Sequence, residues 1–495
     1  MVHAASDSTR VIVAFKPGAL GAVRVAVAAA RGSVKHEIFG MDAMAIEVPT
    51  AALAGLSRNP NVEYVEEDVK RYLYSPTTPS APPYALGQLV PYGISLVQAN
   101  QLAGTNASTR MVCIIDSGYN RGHEDLSNGL NVTGEYDSGT GWWYTDENHH
   151  GTHVAGTISA LNNANIGVVG VSENATLRLH ILKVFDAAGW AYSSTLASAA
   201  NKCGTAGANV ISMSLGGSFS SRTEQRAFDS LYTSGVLSIA AAGNDGNTRV
   251  SYPAGYASVI SVAAVDELKN WATFSQYNKD VELAGPGVNV LSTVPMGTGR
   301  VSALSVGTTT YAPGGMDGSP IGTVSMPLAD FGLGGSVVAG SMTGKVCLIQ
   351  RGTYEFGVKV ANCEQSGGVG AVIYNNVAGS FGGTTGTTVT KIPSVTASDS
   401  EGAAMKNQLG QNATVTVAAS NYAFFDGTSM ATPHVSAVAA LVWALQPQCT
   451  AAQLRKSLNL SALDLGPAGR DTKFGYGLVQ AKAAVDRIGR LSCGN

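Results

Sequence analysis

Five continuous apolar runs between residues 111 and 265 dominate the hydrophobic pattern of the chain. Between them lie segments whose apolar residues recur at helical spacing, such as residues 153–161 and 194–203. Runs that are apolar at every position fit parallel strands buried on both faces of a sheet. The pattern therefore predicts a doubly wound α/β domain, with strands at residues 111–117, 177–184, 209–215, 236–242 and 259–265.

The first 74 residues are predicted to form a separate small α+β module. They carry eight Lys/Arg and eight Asp/Glu, whereas the other 421 residues carry only 49 charges. Short strands alternate here with helices in a β-α-β-β-α-β order, with strands at 11–15, 43–48 and 62–68 and helices at 23–30 and 51–57. Residues 75–86 contain four prolines and no charge, which is typical of an extended, protease-accessible linker.

The α/β pattern stops near residue 295 and returns at residue 421. Residues 295–420 are rich in Gly, Thr and Ser and contain short β-branched segments, which predicts a β-rich inserted domain. The insertion divides the α/β domain into residues 87–294 and residues 421–495.

Composition and charge exclude several classes of protein. Charged residues make up 13% of the chain, about half the usual share, so disorder driven by charge is excluded. The net charge is −3 without a long basic run, so we expect no nucleic-acid partner. No run of about 20 apolar residues is free of charges and turn residues, so we expect no membrane span. The first residues lack the pattern of a signal peptide.

Six cysteines are present and none forms a CxxC pair, which disfavours a zinc ribbon or a thioredoxin-type site. Their even number and wide spacing allow three disulfides and an oxidising compartment. The alternative is six buried free thiols. The cysteines are Cys113, Cys203, Cys347, Cys363, Cys449 and Cys493.

Three windows place polar residues where strands end or helices begin: Asp116 in VCIIDSG, His150 in NHHGTHVAGT and Ser429 in DGTSMATPH. A serine hydroxyl becomes a nucleophile when an imidazole takes its proton, and a carboxylate fixes that imidazole. Taken singly, the windows also fit a helix cap, a turn, or a metal pair formed by His150 and His153. The HExxH pattern is absent, and the three windows together favour the catalytic interpretation.

The segments IIDSG, HGTHVAGT and GTSMATPH resemble the signatures of the subtilisin-like serine proteases, the subtilases. The resemblance implies a secreted serine endopeptidase that cleaves protein or peptide substrates through an acyl-enzyme. Asp116 would be the orienting carboxylate, His150 the general base and Ser429 the nucleophile. Asn244, in AAAGNDG, would donate its amide to the oxyanion.

The resemblance also implies a substrate cleft built from two stretches of backbone. SMSLGGS resembles the substrate-binding strand. These stretches contain no charged residue, so a strict preference for Arg or Lys is not indicated. Trp190 either narrows the S4 subsite or is a surface-packed aromatic. The implied cleft residues are Ser214, Leu215, Gly216, Gly243, Gly189 and Trp190.

LNNANIGVVGV resembles the strong calcium loop of the family, and oxygen ligands suit this ion. The loop is one residue longer than usual, so Asn165 competes with Asn163. A second site near Glu282 is a weaker alternative. The implied structural Ca²⁺ ligands are Gln88, Asp125, Asn163 and the carbonyls of Leu161, Ile166 and Val168.

Residues 1–74 resemble the inhibitor propeptide of subtilases, which implies a self-processing zymogen inhibited by its own propeptide. Cleavage is expected after Tyr74 or as late as Leu86. Within the insertion, residues 344–376 resemble a protease-associated (PA) domain. We expect the protein to act as a monomer.

For the cysteines, we predict a disulfide between Cys347 and Cys363, which lie 16 residues apart within the PA-like segment. Cys449 and Cys493 flank the C-terminal segment and are predicted to pair. The pair Cys113–Cys203 then follows by elimination.

Two other functions remain alternatives. One is a binding protein, with an inactive protease scaffold and an insertion that recruits partners; the complete Asp, His, Ser and Asn set argues against it. The other is an esterase or lipase, which would need the GxSxG elbow that the chain lacks.

Overall fold

The computed structural model describes residues 8–74, 87–102, 107–163, 165–173 and 176–495. The predicted linker of residues 75–86, and with it every cleavage position after Tyr74, lies outside the described residues.

Residues 8–67 form a four-stranded antiparallel sheet with the strand order β2-β3-β1-β4. Apolar residues of β1 alternate between its faces, so Val11 and Val13 pack under the two helices while Ile12 and Ala14 face the rest of the protein. The order confirms the predicted β-α-β-β-α-β succession. The elements are β1 (Ser8–Phe15), α1 (Leu20–Ala29), β2 (Ser33–Glu37), β3 (Ala43–Pro49), α2 (Leu53–Ser57) and β4 (Val62–Glu67), followed by β5 (Lys70–Leu73).

Residues 87–294 alternate strands and helices, and each predicted apolar run is a strand. Helix α4 begins at His150, three residues before the apolar pattern suggested. The elements are α3 (Tyr92–Leu96), β6 (Met111–Asp116), β7 (Val132–Gly134), β8 (Tyr136–Asp137), β9 (Gly141–Trp142), α4 (His150–Ser159), β10 (Arg178–Lys183), β11 (Trp190–Tyr192), α5 (Ser193–Thr205), β12 (Val210–Met213), β13 (Leu215–Gly216), α6 (Arg222–Thr233), β14 (Leu237–Ala241), β15 (Val259–Val265), β16 (Val281–Pro286) and β17 (Val290–Thr293).

The insertion contains a second seven-stranded sheet, with the order β19-β18-β26-β21-β22-β23-β25. The strands from β21 to β25 pair in parallel, and two helices accompany them. The predicted β-rich character is confirmed, with helices that the Gly/Thr/Ser pattern did not indicate. The elements are β18 (Gly299–Val306), β19 (Thr309–Tyr311), β20 (Met316–Asp317), β21 (Gly322–Asp330), β22 (Val346–Gln350), α7 (Phe356–Gln365), β23 (Gly370–Tyr374), β24 (Gly383–Thr384), β25 (Ser394–Ala397), α8 (Asp399–Lys406) and β26 (Asn412–Ser420).

The chain leaves for the insertion and returns from it along one antiparallel ribbon. β17 pairs with β27, with Thr293 opposite Tyr422, and β18 then pairs with β26, with Gly299 opposite Ser420. The insertion therefore adds to the α/β domain without separating its two parts. The returning elements are β27 (Tyr422–Phe425), α9 (Thr428–Leu445), α10 (Ala451–Ser461) and α11 (Ala481–Leu491).

The central sheet has seven parallel strands in the order β16-β15-β14-β12-β6-β10-β7. Val112 and Ile114 of β6 face α4 and α9, whereas Cys113 and Ile115 face α5 and α6. Helices thus cover both faces, as the doubly wound prediction requires.

Helix α9 lies in the middle of this core. Among the described residues it is the one helix long and apolar enough to cross a membrane, and 89% of it is buried within the protein. Its apolar character is accounted for by packing against β12, β14, β15 and β16.

The structure forms all three predicted disulfides: Cys113–Cys203, Cys347–Cys363 and Cys449–Cys493. The first joins β6 to α5, the second joins β22 to α7, and the third ties the end of the chain to the loop after α9.

We expect replacement of both Cys347 and Cys363 by alanine to destabilise the inserted domain by about 3 kcal/mol, because the disulfide restricts a short loop of the unfolded chain. Calorimetry would detect a lower transition temperature. The exposed hydroxyl pair Ser325 and Thr414 offers a control, since its double alanine variant should change stability by about 0.5 kcal/mol or less. Equal melting of the cysteine variant and the wild type would contradict the prediction.

Candidate active site

Asp116 and His150 form a fully buried pair. Asp116 is the last residue of β6 and His150 is the first residue of α4. His150 Nδ1 lies 2.8 Å from Asp116 Oδ1, which also accepts the N–H of Ser117 at 2.8 Å. An ionised carboxylate accepts the Nδ1 proton, so Nε2 is left as the proton acceptor of the neutral ring.

The start of α4 is tied to the end of β6 by a second carboxylate. Asp146 accepts the N–H of Thr152 at 2.8 Å and the hydroxyl of Ser117 at 2.8 Å. A Cβ atom on Gly151 would lie 2.3 Å from the carbonyl oxygen of Gly118, so this close approach requires glycine. These contacts fix the position of the imidazole relative to the sheet.

Ser429 is the second residue of α9 and is fully buried. Its Oγ donates to the carbonyl oxygen of Tyr74 at 3.2 Å and lies 3.3 Å from the sulfur of Met430. Within the described part of the chain, His150 Nε2 is a buried nitrogen without a hydrogen-bond partner. The serine hydroxyl is thus turned toward the Tyr74 carbonyl rather than toward the imidazole.

Asn244 lies in the loop after β14, next to the serine. Its Oδ1 accepts both the N–H of Thr428, at 2.9 Å, and the Thr428 hydroxyl, at 2.8 Å. A Cβ atom on Gly427 would lie 2.6 Å from Ser429 Oγ and 3.2 Å from Asn244 Nδ2. The fixed amide therefore presents its N–H₂ donor beside the serine hydroxyl, and the intervening position has room only for glycine.

The neighbouring histidines, His153 and His434, are structural. His153 Nε2 lies 3.1 Å from the carbonyl oxygens of Val290 and Ala423, and its ring stacks on Phe425. Burial lowers the pKa of His153 to about 3 and that of His434 to about 4. Both rings are therefore neutral at pH 7, and His153 is a packed core residue rather than the partner of His150 in a metal pair.

The segment Lys70–Leu73 occupies a cleft as the middle strand of a three-stranded sheet. β5 pairs antiparallel with β11 on one side and with β13 on the other. The pairs Leu73–Leu215 and Tyr72–Gly216 lie opposite each other, and the N–H of Leu73 donates to the Gly189 carbonyl at 3.0 Å. This is strand addition, in which backbone hydrogen bonds hold an extended peptide.

Tyr74 continues from this strand into a pocket beside Ser429. Its hydroxyl forms a hydrogen bond with Ser251 Oγ, and a Cβ atom on Gly216 would lie 2.3 Å from the same hydroxyl. Burial raises the pKa of Tyr74 to about 12, so the phenol stays protonated. The pocket thus accepts a large ring with a hydroxyl at its far end.

The other predicted cleft residues have different neighbours. Ser214 Oγ donates to the Ser429 carbonyl at 2.7 Å. Gly243 has φ of +113°, and a Cβ atom there would lie 1.6 Å from Gln276 Oε1. Trp190 lies opposite Tyr72, and the ammonium of Lys70 stands 4.2 Å above its ring.

Two carboxylates of residues 8–74 bind the N-termini of two helices of the α/β domain. Glu66 accepts the N–H groups of Arg222 and Thr223 at the start of α6, at 2.7 and 2.8 Å. Asp68 accepts the N–H of Ser194 at the start of α5, at 3.0 Å. Carboxylates are favourable at helix N-termini because they satisfy free N–H groups and the helix dipole.

The predicted calcium loop gathers oxygen atoms around a buried carboxylate. Asp125 Oδ2 accepts the N–H of Val168 at 2.8 Å, whereas Oδ1 is buried without a partner among the described residues. Gln88 Nε2 lies 3.2 Å from the Leu161 carbonyl and 3.4 Å from Asn163 Oδ1. The alternative ligand, Asn165, is exposed in a left-handed turn.

A cation fits the chemistry of this loop. Burial raises the pKa of Asp125 to about 7, because removing the ionised carboxylate from water is costly. The described residues contain no cluster of three His, Cys, Asp or Glu side chains that could hold a metal, so a cation would rely on amide and carbonyl oxygens beside Asp125. Gln88 would have to turn its amide oxygen inward, and Ile166 has an exposed side chain and offers only its carbonyl. Glu282, the weaker alternative, is bound by Arg455 instead.

Comparison with known proteins matches two family models to this chain. The model of the subtilase family matches residues 108–319, and the PA domain model matches residues 314–405. An alkaline protease from Alkalihalobacillus alcalophilus is 39% identical over 266 residues, which cover 53% of this chain and 65% of the relative. The match therefore spans about two thirds of that relative's length.

Two further proteins are similar over a larger share of their own length. Subtilisin DY from Bacillus licheniformis is 42% identical over 218 residues, or 43% of this chain and 77% of the relative. The solved structure of the psychrophilic subtilisin-like protease Apa1 from the Antarctic psychrotroph Pseudoalteromonas sp. AS-11 has a TM-score of 0.66 and 42% identity. It covers 82% of this chain and 100% of its own.

Proposed function

We propose that this chain, which belongs to the subtilase family, is a serine endopeptidase that hydrolyses peptide bonds through an acyl-enzyme. One observation carries the proposal. The buried Asp116–His150 pair lies at the start of α4, which packs against α9, and Ser429 at the start of α9 has its Oγ 3.2 Å from the carbonyl oxygen of a peptide strand in the cleft.

In the proposed reaction, Ser429 Oγ turns to His150 Nε2, gives up its proton and attacks the carbonyl carbon of the bound strand. The protonated imidazole is stabilised by Asp116 and then donates its proton to the leaving amine. The oxygen of the tetrahedral intermediate accepts hydrogen bonds from Asn244 Nδ2 and the N–H of Ser429, whose place at a helix N-terminus favours negative charge. Water releases the acyl group by the same steps.

Residues 1–74 act in this proposal as an inhibitory propeptide that self-cleavage separates after Tyr74. Three features support it: β5 pairs with both walls of the cleft, the Tyr74 carbonyl meets Ser429, and Glu66 and Asp68 cap two helices. The cleaved segment remains as a product-like inhibitor, because the contacts described for residues 8–74 lie on the acyl side of the cut bond and do not depend on that bond.

The protein is proposed to act outside the cell as a monomer. Three disulfides join its described parts, and disulfides persist in oxidising compartments. A structural Ca²⁺ ion held at Asp125 and the neighbouring oxygens would stabilise the loop between α4 and β10.

The experiment that tests the function is the Ser429→Ala variant. We expect it to keep its full length, whereas the wild type should release a fragment ending at Tyr74, since only the serine can form the acyl-enzyme. Mass spectrometry of the purified chains would identify the terminal residues of each fragment. The variant Ser461→Ala serves as a control and should be processed normally. Processing of Ser429→Ala without another protease would contradict the proposal.

Replacement of Asn244 by alanine should lower kcat more than it raises KM, because its amide bonds an oxygen charge that exists only in the transition state. The expected loss is about 10²–10³-fold, a magnitude that comes from subtilisin, a member of the same family. Steady-state kinetics on a chromogenic peptide would measure it. Asn247→Ala, in the same loop, should leave kcat unchanged; a folded Asn244 variant with wild-type kcat would exclude the role.

Removal of calcium should lower the melting temperature, because an ion that binds only the folded chain stabilises it by about 2.7 kcal/mol at 100 times its Kd. Asp125→Asn should abolish most of this difference between calcium and chelator in a thermal scan. In chelator the variant should be at least as stable as the wild type, since it lacks an unpaired buried charge. A wild-type melting curve that chelator leaves unchanged would speak against the site.

A further inference from the structure

Arg71 is a buried arginine in the strand that occupies the cleft. The side chains of β5 alternate, so Arg71 and Leu73 point into the α/β domain while Lys70 and Tyr72 are exposed. The Arg71 side chain has 0% exposure. A guanidinium is rarely buried without a partner that compensates its charge. We therefore expect an acidic side chain close to Arg71.

The partner of Arg71 is Glu224, which belongs to α6 and is also completely buried. Arg71 Nε donates to Glu224 Oε1 at 2.9 Å and Nη2 donates to Oε2 at 2.6 Å. Tyr256 donates its hydroxyl to the same carboxylate at 2.7 Å. The two-pronged contact matches the planar fork of an arginine and not the single ammonium of a lysine.

The rest of this pocket also suits a guanidinium. Arg71 Nη1 donates to the Lys70 carbonyl at 3.1 Å, and a Cβ atom on Gly217 would lie 3.1 Å from that nitrogen. Although burial opposes the charge, Glu224 raises the pKa of Arg71 above its ordinary value. Gly217, Glu224 and Tyr256 belong to the α/β domain, so the pocket remains after the strand departs.

We propose that this enzyme selects substrates with arginine four residues before the cleaved bond, through a P4 subsite formed by Glu224, Tyr256 and Gly217. The inference rests on the proposed function, because Tyr74 must be the P1 residue for Arg71 to be P4. A neutral P4 side chain would bury the carboxylate without its partner, and such a loss is strongly unfavourable. The chain thus carries the preferred sequence Arg-Tyr-Leu-Tyr at the end of its own propeptide.

The test uses the mature wild-type enzyme and the peptide acetyl-Arg-Tyr-Leu-Tyr-p-nitroanilide. Replacing the arginine by citrulline keeps the shape and removes the charge, and we expect kcat/KM to fall by about 10²-fold. Lysine should give an intermediate value because it lacks the fork. As a matched control, changing the exposed P3 tyrosine to alanine should alter kcat/KM by less than about threefold.

The enzyme variant Glu224→Gln should bring the ratio of arginine to citrulline close to one while it still cleaves the citrulline peptide. If that variant does not fold, the wild-type peptide series decides alone. Hydrolysis of the arginine and citrulline peptides at equal kcat/KM would overturn the P4 inference and leave the proposed function intact. Failure to cleave any of the peptides or denatured casein would instead contradict the proposed function.

Discussion

The burial of helix α9 through the middle of the protein is the constraint on which the site depends. Its N-terminus meets the ends of the central strands, where Cβ atoms on Gly285 and Gly287 would lie 2.7 Å from backbone oxygens of the helix segment. Because the sheet touches the helix this closely, Ser429 has a fixed position relative to β6 and β14. Asp116 lies at the end of β6 and Asn244 follows β14. Packing of the core therefore sets the positions of both residues relative to Ser429.

Much of this arrangement could be predicted from the sequence, because its causes are local. The apolar runs of the central sheet are buried on both faces, and the windows around Asp116, His150 and Ser429 lie at strand and helix ends. Trp190 and Glu224 show where such reasoning stops. The sequence left two interpretations of Trp190, a wall of the S4 subsite or a surface aromatic. In the structure its ring packs under the ammonium group of Lys70. The S4 partner, Glu224, lies 153 residues from Arg71 along the chain, and no local pattern pairs them.

Glu66 and Asp68 were missed for a related reason. The sequence VEYVEED indicates an exposed strand end, and its charges read as ordinary solvated groups. Their role depends on α5 and α6 presenting free N–H groups side by side at the same surface, which is a property of the packed domain. The signal that could have found them is the excess of acidic residues immediately before the segment that enters the cleft.

Strands β17 and β27, which form the stem of the insertion, share one small apolar cluster with the calcium loop. Ala160, Val168, Leu291 and Tyr422 pack together, and Tyr422 donates its hydroxyl to Glu124, the neighbour of Asp125, at 3.1 Å. The stem strand β27 runs from Tyr422 to Phe425, three residues before Thr428 begins α9. The loop around Asp125 and the strand that leads into α9 are therefore packed against each other. The chain can carry an insertion of more than a hundred residues just before Ser429, because this cluster holds together the two strands at which the chain leaves and returns.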